Sequence, residues 1–90
     1  MPRPLHDTST ALNAANLLAL PQRFGCPVWA YDEDIISQRI AQLRHFDTIR
    51  FAQKACSNIH ILRLMREQGV KVDSVSMGEI ERALQAGFQP

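Results

Sequence analysis

The alternation of short apolar runs with helical ones is what most constrains the fold of this chain. Pro27-Val28-Trp29-Ala30-Tyr31 reads as a strand, as do Thr48-Ile49-Arg50-Phe51-Ala52-Gln53 and Val70-Lys71-Val72-Asp73-Ser74-Val75. Their starts, at residues 27, 48 and 70, lie 21 and 22 residues apart, and a helical stretch fills each gap. Parallel strands need a crossover long enough to return the chain, and a helix is the usual one. The pattern therefore predicts βαβ units and a parallel sheet, an α/β fold.

The helix ends carry their own signals. Asp32 stands where it can cap a helix whose apolar positions Ile36, Ile40 and Leu43 share one face. Glu33 and Asp34 lie in its first turn, where the helix dipole favours negative charge. Asn58 is placed to cap the next helix, which carries Ile61, Leu62 and Met65 on one face and has Gly69 just past its end. Ser76-Met77-Gly78-Glu79 fits a capping box ahead of Ile80, Ala83 and Leu84, and Gly87 marks the stop. A further helix is expected over residues 11–20, capped by Ser9 or Thr10 and stopped near Pro21.

Ninety residues with three such strands leave open sheet edges and little covered surface. Parallel sheets need helices on both faces or closure into a barrel. The chain opens on Met1 and reaches Phe88-Gln89-Pro90 where another strand is due. It is therefore expected to be the opening segment of a longer protein. The bland reading is a compact three-strand module.

Composition removes several function classes. Ten basic and nine acidic residues give a net charge of +1, which offers no electrostatic case for nucleic acid or a membrane surface. No apolar run approaches the length of a membrane span, and residues 1–7 lack the apolar core of a signal peptide. Two cysteines, Cys26 and Cys56, suit a reducing cytoplasmic setting.

One motif carries chemistry. In Phe51-Ala52-Gln53-Lys54-Ala55-Cys56-Ser57-Asn58 a lysine stands near the carboxyl end of a predicted strand among small residues. An ammonium directed into a fold is costly unless it is paired, neutralised or chemically used. Small neighbours leave room beside it for something flat and bulky. The bland alternative is a surface lysine at a strand end. Cys56 and His60, four positions apart, do not make a nucleophile dyad, since no orienting acid or oxyanion motif accompanies them. Nor do they form a zinc pattern with Cys26, so no metal is expected. His60 suits a solvated place on a first helical turn. Trp29 and Tyr31 suit packing positions on an edge strand.

The motif Phe51-Ala52-Gln53-Lys54-Ala55 resembles the aromatic-Ala-x-Lys-Ala signature of the fold-type III pyridoxal-phosphate decarboxylases. These are barrel enzymes related to alanine racemase. The run from Arg50 through Ser76, continued by Gly78-Glu79-Ile80-Glu81-Arg82-Ala83-Leu84, resembles the enterobacterial diaminopimelate decarboxylases within that family. Phe24-Gly25-Cys26-Pro27-Val28-Trp29-Ala30-Tyr31-Asp32 resembles the family's amino-terminal FGTPLYVYD stretch. The likeness covers residues 24–88. One departure is Gln53, where many members have Val.

The resemblance implies the opening βα units of a pyridoxal-phosphate-binding (β/α)8 barrel. Residues 1–31 would be associated with a β-rich second domain, and residues 32–90 would form the first part of the barrel. Lys54 would hold pyridoxal phosphate through a Schiff base, at the carboxyl-terminal barrel face where such active sites lie. A lysine amine attacks an aldehyde only when neutral, so burial that disfavours its charged form suits the task. Ala52 would lie beneath the cofactor, and Asp73 and Glu79 would supply acidic contacts. Asp73 could also hold the freed amine. The bland reading of Asp73 is a strand-end residue bonded to local backbone, and Glu79 and Asn58 are helix caps first. The whole enzyme would be a cytoplasmic homodimer that converts meso-2,6-diaminopimelate to L-lysine and CO2, with the 90-residue chain alone inactive. Rival readings are another basic amino-acid decarboxylase of the same fold, or a non-catalytic barrel that binds the cofactor. The four glycines are scattered, so a glycine-rich phosphate cradle is missing from the chain.

Overall fold

A computed structural model describes residues 13–90. The chain divides into two units between Asp32 and Glu33.

In the first unit, α1 runs Ala14–Phe24. Its cap is Asn13, whose side chain accepts from the Asn16 backbone N–H at 2.9 Å. The predicted caps Ser9 and Thr10 lie outside the described residues. Pro21, expected to end this helix, sits inside it instead. The stop comes at Gly25, with φ +69°, whose N–H bonds the Pro21 carbonyl. A proline removes one helical donor but leaves its own carbonyl free to accept. Residues 27–31, expected to be a strand, form no strand. Trp29 is 90% exposed, so it packs nothing here, and Tyr31 is exposed as well. A strand exists by pairing, and no described strand partners this segment.

The second unit holds α2 (Glu33–Gln42), β1 (Arg50–Ala52), a 3-10 turn (Gln53–Ala55), α3 (Ile59–Glu67), β2 (Lys71–Asp73) and α4 (Met77–Gln85). β1 and β2 pair in parallel, with Arg50 opposite Lys71, Phe51 opposite Val72 and Ala52 opposite Asp73. Both strands are shorter than the sequence predicts. The chain leaves β1 at Gln53 because the backbone tightens into the turn, where the Cys56 N–H bonds the Gln53 carbonyl at 3.0 Å.

The predicted caps hold for the two later helices. Asn58 accepts from the N–H groups of His60 and Ile61. Ser76 accepts from the Glu79 N–H at 3.2 Å, and Glu79 reaches back to accept from the Val75 N–H at 3.4 Å. α3 and α4 end alike. The N–H of Gly69 bonds Arg66 and that of Val70 bonds Met65; likewise Gly87 bonds Leu84 and Phe88 bonds Ala83. Gly69 and Gly87 have φ +76° and +102°, the left-handed geometry this helix ending needs. The apolar residue after each glycine then folds back onto the core. Val70 is buried with Ile40 and Met65, and Phe88 packs against that cluster beside Ile36, Ile49, Phe51 and Ile61. Leu62 is fully buried, as are Ala83 and Ala86 nearly so.

One face of the sheet is thereby covered and the other is open. Phe51 and Val72 alternate with exposed Arg50, Ala52, Lys71 and Asp73. This alternation is what a half-covered strand pair requires.

Candidate functional site

The turn after β1 carries the lysine singled out above. Gln53 is wholly buried, while Lys54 and Ala55 beside it are exposed. Lys54 therefore projects away from the helix-covered side, from the carboxyl end of β1. Among the described residues its ammonium makes no hydrogen bond or ion pair. The chain's other lysine, Lys71, stands at the opposite end of the strand pair.

The site residues expected from sequence fall into two groups. Ala52 and Asp73 are register partners at the carboxyl ends of β1 and β2, both on the open face. Asp73 makes its ion pair with Arg50, at 3.4 Å, rather than with Lys54. Glu79 sits apart in the first turn of α4. Its carboxylate is engaged locally, accepting from Ser76 Oγ at 3.1 Å and from the Val75 N–H. Asn58 is engaged as a cap in the same way. Cys26 and Cys56 are free thiols, and no His, Cys, Asp or Glu cluster among the described residues could hold a metal ion. His60 is exposed on the first turn of α3.

Sequence reasoning passed over three contributors. Arg50 holds Asp73. Ser74 and the Glu79 carbonyl hold the Gln53 side chain, both at 2.7 Å. The available signal was a glutamine in phase with Phe51 on the covered side, where an apolar residue would be ordinary.

Residues 33–90 match the family described as "Pyridoxal-dependent decarboxylase, pyridoxal binding domain". The chain belongs to this decarboxylase family. All 90 residues align with the diaminopimelate decarboxylase of Escherichia coli at 71% identity, covering 21% of that protein. A solved structure, "Crystal structure of diaminopimelate decarboxylase", superposes with a TM-score of 0.83 at 71% identity, over 99% of this chain and 21% of that one. A more distant relative, the L-glutamyl-[BtrI acyl-carrier protein] decarboxylase of Niallia circulans, is 40% identical over 81 residues, which is 86% of this chain and 19% of that protein. The chain thus spans about a fifth of the length of the curated relatives it matches.

The residues present fit the cofactor this decarboxylase family takes. A pyridoxal group needs a primary amine with no competing partner and a flat space beside it. Lys54 offers the first, and the methyl side chains of Ala52 and Ala55, both exposed, leave the second. No helix among the described residues is long and apolar enough to cross a membrane.

Proposed function

We propose that the full-length protein decarboxylates meso-2,6-diaminopimelate to L-lysine in the cytoplasm, and that Lys54 is the residue that holds pyridoxal phosphate. The observation that carries this reading is an exposed amine, unpaired among the described residues, at the carboxyl end of a parallel strand that pairs Ala52 with Asp73, in a member of this family. When bound, pyridoxal phosphate supplies an electron sink that lets a carboxylate leave as CO2 while a proton takes its place.

The chain's own residues have separable tasks. Lys54 Nζ is the amine that would hold the cofactor covalently. Ala52 keeps the floor of the site free of bulk. Asp73, on the neighbouring strand end, is the acceptor placed to hold the released Lys54 ammonium, with Arg50 as its resting partner. Residues 1–31 belong with a β-rich second domain in this reading, and residues 32–90 begin the barrel. The diaminopimelate specificity rests on the 71% identity to enzymes of that name. A second substrate has its own support, because the Niallia circulans relative keeps 40% identity over this segment and is named for a different one. The segment alone thus carries the chemistry more firmly than the substrate.

The test is borohydride reduction of the full-length protein with pyridoxal phosphate, followed by peptide mass. Label on Lys54, loss of label and of turnover in Lys54→Ala, and lysine formed from diaminopimelate support the reading. Label elsewhere sinks the Lys54 assignment, and turnover of a different amino acid alone sinks the substrate.

A further inference from the structure

Gln53 is the one wholly buried polar residue among those described. Its amide is satisfied at both ends. Nε2 donates to the Glu79 backbone carbonyl at 2.7 Å, and Oε1 accepts from Ser74 Oγ at 2.7 Å. The orientation is forced, since a carbonyl can only accept and so must face the amide nitrogen. The Gln53 carbonyl accepts in turn from Ser57 Oγ at 3.2 Å and from the Cys56 N–H at 3.0 Å. No buried side-chain nitrogen or oxygen among the described residues lacks a partner.

These bonds join three segments that each bear a site residue. The turn carries Lys54, Ser74 directly follows Asp73, and the Glu79 carbonyl lies in the first turn of α4. Lys54 has no tether of its own among the described residues, so its aim is set by the backbone of the turn. That backbone is held on its amino-terminal side by Gln53.

We infer that Gln53 is a positioning residue for Lys54: its buried amide fixes the turn so that the lysine meets the cofactor from the face shared by Ala52 and Asp73. The inference rests on the assignment of Lys54 above. An apolar residue of similar size would fill the same volume. It would leave the Ser74 hydroxyl unpartnered and the turn free to rotate relative to β2 and α4. Buried amide networks of this kind specify one arrangement when every member is satisfied. A small loss of aim at a covalent site is costly in rate, because the attacking atom must be held in line with its target.

The experiment uses the full-length protein freed of cofactor. Pyridoxal phosphate is added, and the rate of borohydride-trappable attachment to Lys54 is read by peptide mass beside the melting temperature of the cofactor-free form. Gln53→Met is expected to slow attachment about tenfold at temperatures where the protein is folded, and to lower kcat with little change in KM. Ser74→Ala removes one bond and should slow attachment by about threefold, while Ser74→Thr, which keeps the hydroxyl, should restore it. A lowered melting temperature with wild-type attachment in Gln53→Met would show Gln53 to be structural only and would overturn the inference. If Gln53→Met does not fold, the Ser74 pair decides: equal rates for Ser74→Ala and Ser74→Thr overturn it. Label away from Lys54 in the wild type defeats the underlying assignment instead, so the two failures are distinct.

Discussion

The two faces of the β1–β2 pair are built on opposite terms. On the covered face Phe51 packs against the cluster of Ile40, Met65 and Val70, and the one buried polar residue, Gln53, is completely satisfied. The open face carries Arg50, Ala52, Lys71 and Asp73, with Lys54 beyond the strand end, and its ion pair is solvated. The first face supplies folding free energy, and the second is the one on which the proposed chemistry would lie. A (β/α)8 barrel separates these roles in the same way, with stability in the packing of helices on strands and catalysis at the carboxyl ends of the strands. The difference teaches that this segment can hold Lys54 in place without completing a site around it.

The sharpest way to break that comparison is to ask whether the open face functions alone. In the 90-residue chain, pyridoxal phosphate is expected not to be retained at low micromolar concentration, against ready binding by the full-length protein. Water reaches the whole face, so a bound cofactor would gain little burial there. Absorbance titration of the purified chain beside Lys54→Ala checks this. A saturable band that depends on Lys54 would mean that the two faces together already make a binding site.

The next test strikes the covered face. Leu62 has no exposed surface. Leu62→Ala in the full-length protein should cost about 2–5 kcal/mol, through lost transfer energy and the cavity left behind. Lys54→Ala should leave stability within about 0.5 kcal/mol, as substitutions away from packed cores do. Urea denaturation midpoints compare the two. Equal losses would erase the division of labour between the faces.

What could be read from sequence follows the same line. α3 and α4 were legible at both ends because Asn58, Ser76, Gly69 and Gly87 act locally, each through bonds within a few residues of itself. The parallel pairing of β1 and β2 was legible because a helix between two apolar runs allows little else. The strand expected at 27–31 failed for the converse reason, since apolar alternation says nothing about whether a partner strand is in reach. α1 runs past Pro21, which the sequence marks as a stop. A proline can be accommodated within a helix where its lost N–H is tolerated, and the Asn13 cap and Gly25 set the ends instead. At the candidate site, the motif marked Lys54 and its neighbours, but Arg50 as partner of Asp73 and Gln53 as clamp of the turn were not visible. Both depend on contacts more than 20 residues away in sequence, at separations of 23, 21 and 26.

The smallest effect is expected at the ion pair on the open face, and it asks how wet that face is. Arg50 and Asp73 are 55% and 59% exposed at a separation of 3.4 Å. A pair so exposed gains little Coulomb energy and loses side-chain freedom, so its net worth is about 0–1 kcal/mol. A double-mutant cycle with Arg50→Gln and Asp73→Asn in the 90-residue chain, followed by helix signal in urea, should give a coupling in that range. The coupling should shrink further as salt rises from about 0.01 to about 1 M, since the Debye length falls from about 30 to about 3 Å. The charges are arranged to make the test selective: Lys71 lies directly opposite Arg50, so removing Arg50 also relieves a like-charge contact across the strands. That relief offsets part of the lost attraction in the single Arg50→Gln variant and cancels only in the full cycle. A salt-insensitive coupling near 3 kcal/mol would mean that the pair is shielded from water, and with it that the face bearing Lys54 is not open in this chain.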